Sequence, residues 1–241
     1  GHMIETRGVA TVVIGLVSPH LEITKSPRSL WVPFPLGRPL GEPEDPTFQR
    51  RVLSAALGLL ERRDGPVLLI DFPDDAPSMT DTPGWTPRVD LPALPSSLPD
   101  DVAGWAAALS AELKLMHPHW EAAQRRFART TVGLSQLPLE RWAPYAAPFL
   151  AGEIPASSVE GLSPALLLRV VADDIKALYG EAVQAAGPQP SSAQVNFWFW
   201  NRTLAGQFLR ALRIAALTSP HSGFNTVGSR FIVPAPWVAP A

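Results

Sequence analysis

The stretch Ser29–Leu60, SLWVPFPLGRPLGEPEDPTFQRRVLSAALGLL, decides the fold class, because it joins an apolar strand to an amphipathic helix through an unusually stiff loop. SLWVPF reads as a short strand rich in residues that suit a pleated, half-buried surface. The stretch then holds five prolines, Pro33, Pro35, Pro39, Pro43 and Pro46. Each fixes its own φ and restricts the residue before it. Gly37 and Gly41 supply the positive φ or close backbone approach such a path needs. Asp45 reads as an N-cap and Pro46 as the first helical residue, where a missing N–H costs nothing. Phe48, Val52, Leu53, Ala56, Leu57 and Leu60 then recur at helical spacing as one apolar face.

Working outward, GVATVVIGLV (Gly8–Val17) is a β-branched run that predicts a buried strand. Gly65 stops the helix, and PVLLIDF (Pro66–Phe72) predicts a third buried strand, parallel to a neighbour. Strand, strand, helix, strand defines an α/β unit over residues 4–73. Residues 74–97, rich in Pro, Asp, Ser and Thr, read as a linker or surface excursion. From 98 to 241 the pattern is helical. Val102, Trp105, Leu109, Leu113, Met116 and Trp120 trace one face, and Pro118 predicts a kink or break at His117. Ser163 and Pro164 open a helix striped by Leu167, Val171, Ile175, Leu178, Tyr179 and Ala182. Ser191 or Ser192 caps a long final helix to about Leu217, in which Gly206 reads as a close-packing position. RFIVP (Arg230–Pro234) is a candidate strand for the sheet edge. The predicted fold is an α/β N-terminal unit with a short, mostly parallel sheet, packed with a mainly α-helical C-terminal region.

Composition narrows the function classes. The chain has 241 residues, 46% hydrophobic and 17% charged, enough for one large or two small globular domains. A net charge of −2 gives no footprint for nucleic acid. No apolar run approaches the roughly 18–20 residues of a membrane span. Cysteine is absent, which excludes disulfides, thiolate nucleophiles, zinc–thiolate sites and iron–sulfur clusters supplied by this chain. Gly1-His2-Met3 reads as a cloning scar ending in the native start, with no signal peptide after it, so the expected location is the cytoplasm.

Taken together, GVATVVIGLV, PRSLWVPFPLGRPLGEP and FQRRVLSAALGLL resemble the glycine/sarcosine/betaine/D-proline reductase selenoprotein-B family. In that family a strand precedes a PxPLGxPxG-like loop and then an RR-V-x-x-AL-x-LL helix. The resemblance covers about Gly8–Asp71, under a third of the chain. It implies a scaffold for a small amino-acid-like or carboxylate substrate. Family members cleave a carbon–nitrogen bond reductively with a selenocysteine or cysteine just before the first of these strands. This chain has neither residue, so the resemblance implies the scaffold, and a thiol- or selenol-bearing protein partner for the chemistry.

The residues then sort into candidate groups. Gly37, Arg38 and Gly41, with Arg28 at the start of the strand, form a ligand-holding set, since arginine pairs bidentately with a carboxylate. A rigid crossover with Arg38 at the surface or in a salt bridge is the structural alternative. Asn201 and Arg202, beside Trp198 and Trp200 in NFWFWNR, could orient a polar ligand. The two tryptophans point in different directions, so at least one meets a pocket, a loop or another subunit. Asp173, Lys176 and Tyr179 lie three residues apart on one helix, a spacing that allows acid–base chemistry or a rim ion pair. His117 and His119 could ligate a metal together with Asp173 or Asp174, although i and i+2 residues diverge on a regular helix. Three function classes follow. The first is an enzyme or accessory subunit that binds a small-molecule ligand. The second is a non-catalytic interaction module or homo-oligomer. The third is a metal or haem protein using His117, His119 or His221.

Overall fold

The computed structural model describes residues 1–65, 67–76 and 80–238. The expected α/β unit and helical region are both present. The chain divides into two compact units, Gly1–Pro83 with Ser191–Ala193, and Gly84–Pro190 with Gln194–Ala241.

The first unit is built on a three-stranded parallel sheet of order β1-β2-β3, with β1 at Val13–Gly15, β2 at Arg28–Trp31 and β3 at Leu68–Asp71. Register sets Ile14, Leu30 and Ile70 in one row across the sheet, and in a parallel pair such a row shares one face. That row joins a core of Phe34, Phe48, Val52, Ala56, Leu59 and Phe72. Helices α1 (His2–Glu5) and α2 (Ser18–Thr24) lie in the first part of this unit. The core's helical side is α3 (Pro46–Gly58), whose N-cap Asp45 accepts from Phe48 N at 3.0 Å, with Pro46 in the first turn as expected. The apolar face of α3 is narrower than its spacing suggests. Phe48, Val52 and Ala56 are buried, while Leu53 and Leu57 are exposed. The chain tightens into a 3-10 turn at Leu59–Glu61, and Leu59 joins the core. The first strand is also shorter than the run Gly8–Val17, pairing only over Val13–Gly15.

The second unit is helical: α4 (Val102–Phe127), α5 (Trp142–Ala146), α6 (Pro164–Ala182), α7 (Ser192–Arg202), α8 (Leu204–Leu217) and α9 (Ser222–Val227). Every residue of the predicted α6 stripe is buried, and Ser163 caps that helix through Leu166 N. Two local expectations are corrected here, and a third is narrowed, since of the kink or break expected at His117 the break does not occur. Helix α4 runs through Pro118 without ending at His117. Proline removes one N–H and leaves the carbonyl four residues earlier without its helical donor, and here that residue is the exposed Lys114. Trp105, Leu109, Leu113 and Met116 stay in register with the core throughout. The long final helix splits at Thr203, whose backbone is extended. The Thr203 hydroxyl donates to Phe199 O at 2.7 Å and accepts from Gly206 N at 3.0 Å, so it ends α7 and caps α8. Arg230–Pro234 is not a strand. Gly228–Ile232 continues α9 as a π-helical turn, and Ile232 and Val233 bury themselves in the helical core with no sheet to pair with.

Residues 74–97 carry no helix or strand among those described, and 77–79 lie outside the described residues. The segment is still anchored, because Trp85, Val89, Leu91 and Leu94 pack on the helical core. Among the described residues no helix is long and apolar enough to cross a membrane.

Candidate functional site

The loop after β2 is stiff for a visible reason. Arg38 N donates to Pro35 O and Gly41 N to Arg38 O, each at 3.0 Å, so two successive turns share Arg38. Gly37 sits third in the first turn at φ +86, the place where a type II turn calls for glycine. Gly41, at φ +88, also lies against the Phe48 ring, where an added Cβ would come within 2.6 Å of ring carbon. Arg38 is held locally, its Nη1 donating to both Glu42 carboxylate oxygens at 2.8 and 2.9 Å.

Arg28 stands in a different setting. It opens β2 and lines a cavity of about 80 Å³ at the amino ends of β2 and β3, together with Glu5, Arg62, Arg63, Asp64 and Leu68. Parallel pairing creates this place, since Arg28 is in register with Leu68 and Leu68 N donates to Pro27 O at 3.0 Å. Arg28 Nη1 donates to Glu5 Oε1 at 2.7 Å. The same oxygen accepts from Thr11 N at 2.8 Å and Thr11 Oγ1 at 2.9 Å. The Thr11 backbone bond above all, with Arg28 adding to it, holds the Glu5 carboxyl below its usual range. Arg62 pairs with Asp64 through two bonds, one of them Nε to Oδ1 at 2.6 Å, and this pulls the Asp64 carboxyl down to about 2. Arg63 is exposed and has no side-chain partner. Arg28 Nε is buried, also without a partner. Three guanidinium groups therefore face two carboxylates around the cavity, leaving an excess of one positive charge and unsatisfied donors. Such a place suits a small anion.

The other predicted residues belong to the helical unit. Asp173 and Lys176 pair at 2.8 Å, and Lys176 Nζ also reaches Phe231 O at 3.3 Å. Tyr179 does not join them. Its ring is fully buried, and its hydroxyl donates to Glu112 Oε1 at 2.7 Å. Burial first, and the Glu112 charge second, push the Tyr179 phenol well above its usual range. The expected acid–base trio is thus an ion pair plus a core tyrosine. Asn201 Nδ2 donates back to Phe197 O within its own helix. Arg202 is exposed, whereas Trp198 and Trp200 are both buried in the helical core. His117 Nδ1 lies 4.0 Å from Glu121, and its ring packs 5.5 Å from the Trp120 ring. Among the described residues no group of three His, Asp or Glu side chains stands where a metal could be held.

Sequence reasoning missed two sets. Arg62 and Arg63 carry a signal in ERRD, a basic pair directly before a strand, but only strand register brings them to Arg28. The roles of the buried carboxylates were the second, with Glu112 unremarked and Asp174 read as a metal ligand. Glu112 accepts from Tyr179 and also from Leu204 N and Ala205 N at 2.8 and 2.9 Å, so it anchors the start of α8. Asp174 gathers Gly133, Leu134 and Ser135 N–H groups and the Ser135 hydroxyl, all within 2.9 Å. It is therefore committed to the loop after α4 and has no capacity left for a metal. No family model, curated protein or solved structure gives a significant match to the chain.

Proposed function

We propose that the chain is a small-carboxylate-binding protein on a reductase-B-like scaffold, taking the ligand's anionic end in the arginine-lined cavity at the amino ends of β2 and β3. The observation that carries this reading is the excess of unpartnered guanidinium donors there, with Arg28 Nε buried and Arg63 unengaged. The resemblance over Gly8–Asp71 supports the scaffold, and the two-turn loop of Pro35–Gly41 agrees with its pattern. In this reading Arg38 and its glycines are a rigid crossover, and Arg28 is the residue of the original ligand set that meets the ligand. Lacking cysteine, the chain acts as a binding or accessory subunit, and bond cleavage falls to a thiol- or selenol-bearing partner.

Titration calorimetry with acetate and glycine, beside inorganic sulfate, tests this directly. Acetate and glycine are expected to bind in the millimolar range, and Arg63→Ala to weaken them about fivefold or more, the scale of one charge-assisted contact. Because Arg63 has no partner in the fold, its melting temperature should not move. Sulfate alone binding would reduce the site to a general anion site. No binding, with a defined oligomer that Leu36→Asp dissolves, would sink the ligand reading in favour of an interaction module. Leu36 is 78% exposed at the tip of the proline loop and is the natural contact for that case.

A further inference from the structure

Helix α3 buries Phe48, Val52 and Ala56, and its opposite side faces solvent. There Arg50, Leu53, Ser54 and Leu57 recur at i, i+3, i+4 and i+7, all of them exposed, which is one continuous stripe of a helix. Leu53 and Leu57 are 40% and 57% exposed and adjacent on that stripe. Gly58 lies four residues after Ser54 in the neighbouring row. The 3-10 turn then sets residues three apart in line, so the exposed Glu61 follows Gly58. Among the described residues neither Arg50 nor Glu61 has a side-chain partner.

Gly58 is the odd member of this set. Its φ of −59 lies in the ordinary right-handed region, so the freedom of glycine is not used. An added Cβ would meet nothing within 4 Å. The fold of one chain therefore gives no reason for a residue that weakens a helix relative to alanine. Close approach of something outside the chain does. A copy of α3 laid antiparallel, about a two-fold axis between residues 55 and 56, supplies it. Leu53 then faces Gly58 of the second copy, Leu57 faces Ser54, and Arg50 faces Glu61, each pairing occurring twice. Large side chains meet small ones, which lets two helices interdigitate, and opposite charges meet at both ends. We propose that this stripe is a self-association face, pairing two copies of the chain through α3. The match of the stripe to its own reverse names the second copy as the occupant, because a two-fold interface must be self-complementary. The end charges add little affinity and fix the register. Arg50 and Glu61 line no part of the arginine cavity, so this inference stands apart from the ligand reading.

One helix face is smaller than the roughly 800 Å² per partner of a standard stable interface, so the dimer is weak and forms with concentration. Sedimentation velocity of the full chain from about 10 µM to 1 mM should show a monomer–dimer equilibrium with a Kd of about 0.1 mM. Arg50→Glu and Glu61→Arg should each weaken it about tenfold or more, and the double variant should restore it. Leu57→Asp should abolish the dimer, and Leu36→Asp on the proline loop should leave it intact. Gly58→Ala should raise the melting temperature of the dilute monomer and yet weaken the dimer, a split that a purely structural glycine does not give. Circular dichroism checks that every variant keeps its fold. The proposal is overturned by a monomer throughout the range, by a double variant that fails to restore pairing, or by a dimer that survives Leu57→Asp. A dimer dissolved by Leu36→Asp and untouched by the α3 variants overturns it as well.

Discussion

Glu112 shows how a single side chain can outweigh its helix position. It is buried on α4, and its two oxygens accept three hydrogen bonds: from the Tyr179 hydroxyl and from the first two N–H groups of α8. A helix start leaves its first N–H groups without intrahelical partners, so a buried start needs an acceptor brought from elsewhere. Glu112→Ala would strand all three donors away from water. The expected loss is about 3 kcal/mol or more, since each buried unsatisfied group costs roughly 1–3 kcal/mol. Urea unfolding should show the midpoint falling at an unchanged slope. Glu121→Ala, an exposed change on the same helix, should move it by less than about 0.5 kcal/mol. Arg28 and Arg63 make the complementary case, in which guanidinium donors are left without a partner in the fold.

At the scale of elements, α7 and α8 behave as two helices because of local chemistry at Thr203 and tertiary demand at Gly206. An added Cβ at Gly206 would lie 2.2 Å from Phe199 O and 3.0 Å from Trp200 Cα, both backbone atoms that cannot swing aside. The two helices are this close because residue 206 has no side chain. Ordinarily Gly→Ala in a helix stabilises by up to about 1 kcal/mol. Here the clash should reverse the sign, and Gly206→Ala is expected to destabilise by about 2 kcal/mol. The control is Gly180→Ala on α6, where nothing stands within 4 Å, and it should be neutral or stabilising. Thermal melts of the two variants decide the point, and equal behaviour would remove the packing argument.

At the scale of the whole molecule, the chain has two tyrosines, and both lie in the helical unit. Burial pushes Tyr145 up to about 12, and burial with Glu112 pushes Tyr179 well above 10. A folded-state value raised above the unfolded one means that the stabilisation is fully present below pH 10 and is lost as pH rises beyond it. Tyrosinate absorbance should therefore stay absent near pH 10 and appear together with loss of helical circular dichroism at higher pH. Tyr179→Phe should push that transition to higher pH relative to its own neutral-pH stability. Free titration of both phenols near 10 in an intact fold would contradict it.

Sequence pattern alone determined the fold class, the caps at Asp45 and Ser163, the α6 stripe and the absence of cysteine from this chain. Those depend on short-range rules: which residue satisfies a helix start, which spacing makes a face, and which atoms a chain contains. Tertiary structure decided the rest. It carried α4 through Pro118, because packing on one face outweighed a single missing bond, and it drew Ile232 and Val233 into a helical core and away from the sheet. It took Tyr179 from its neighbours on α6 and gave it to Glu112, 67 residues away. It set Arg28 beside Arg62 and Arg63 through strand register. Contacts between distant residues set burial and pairing, and neither can be read from spacing along the chain.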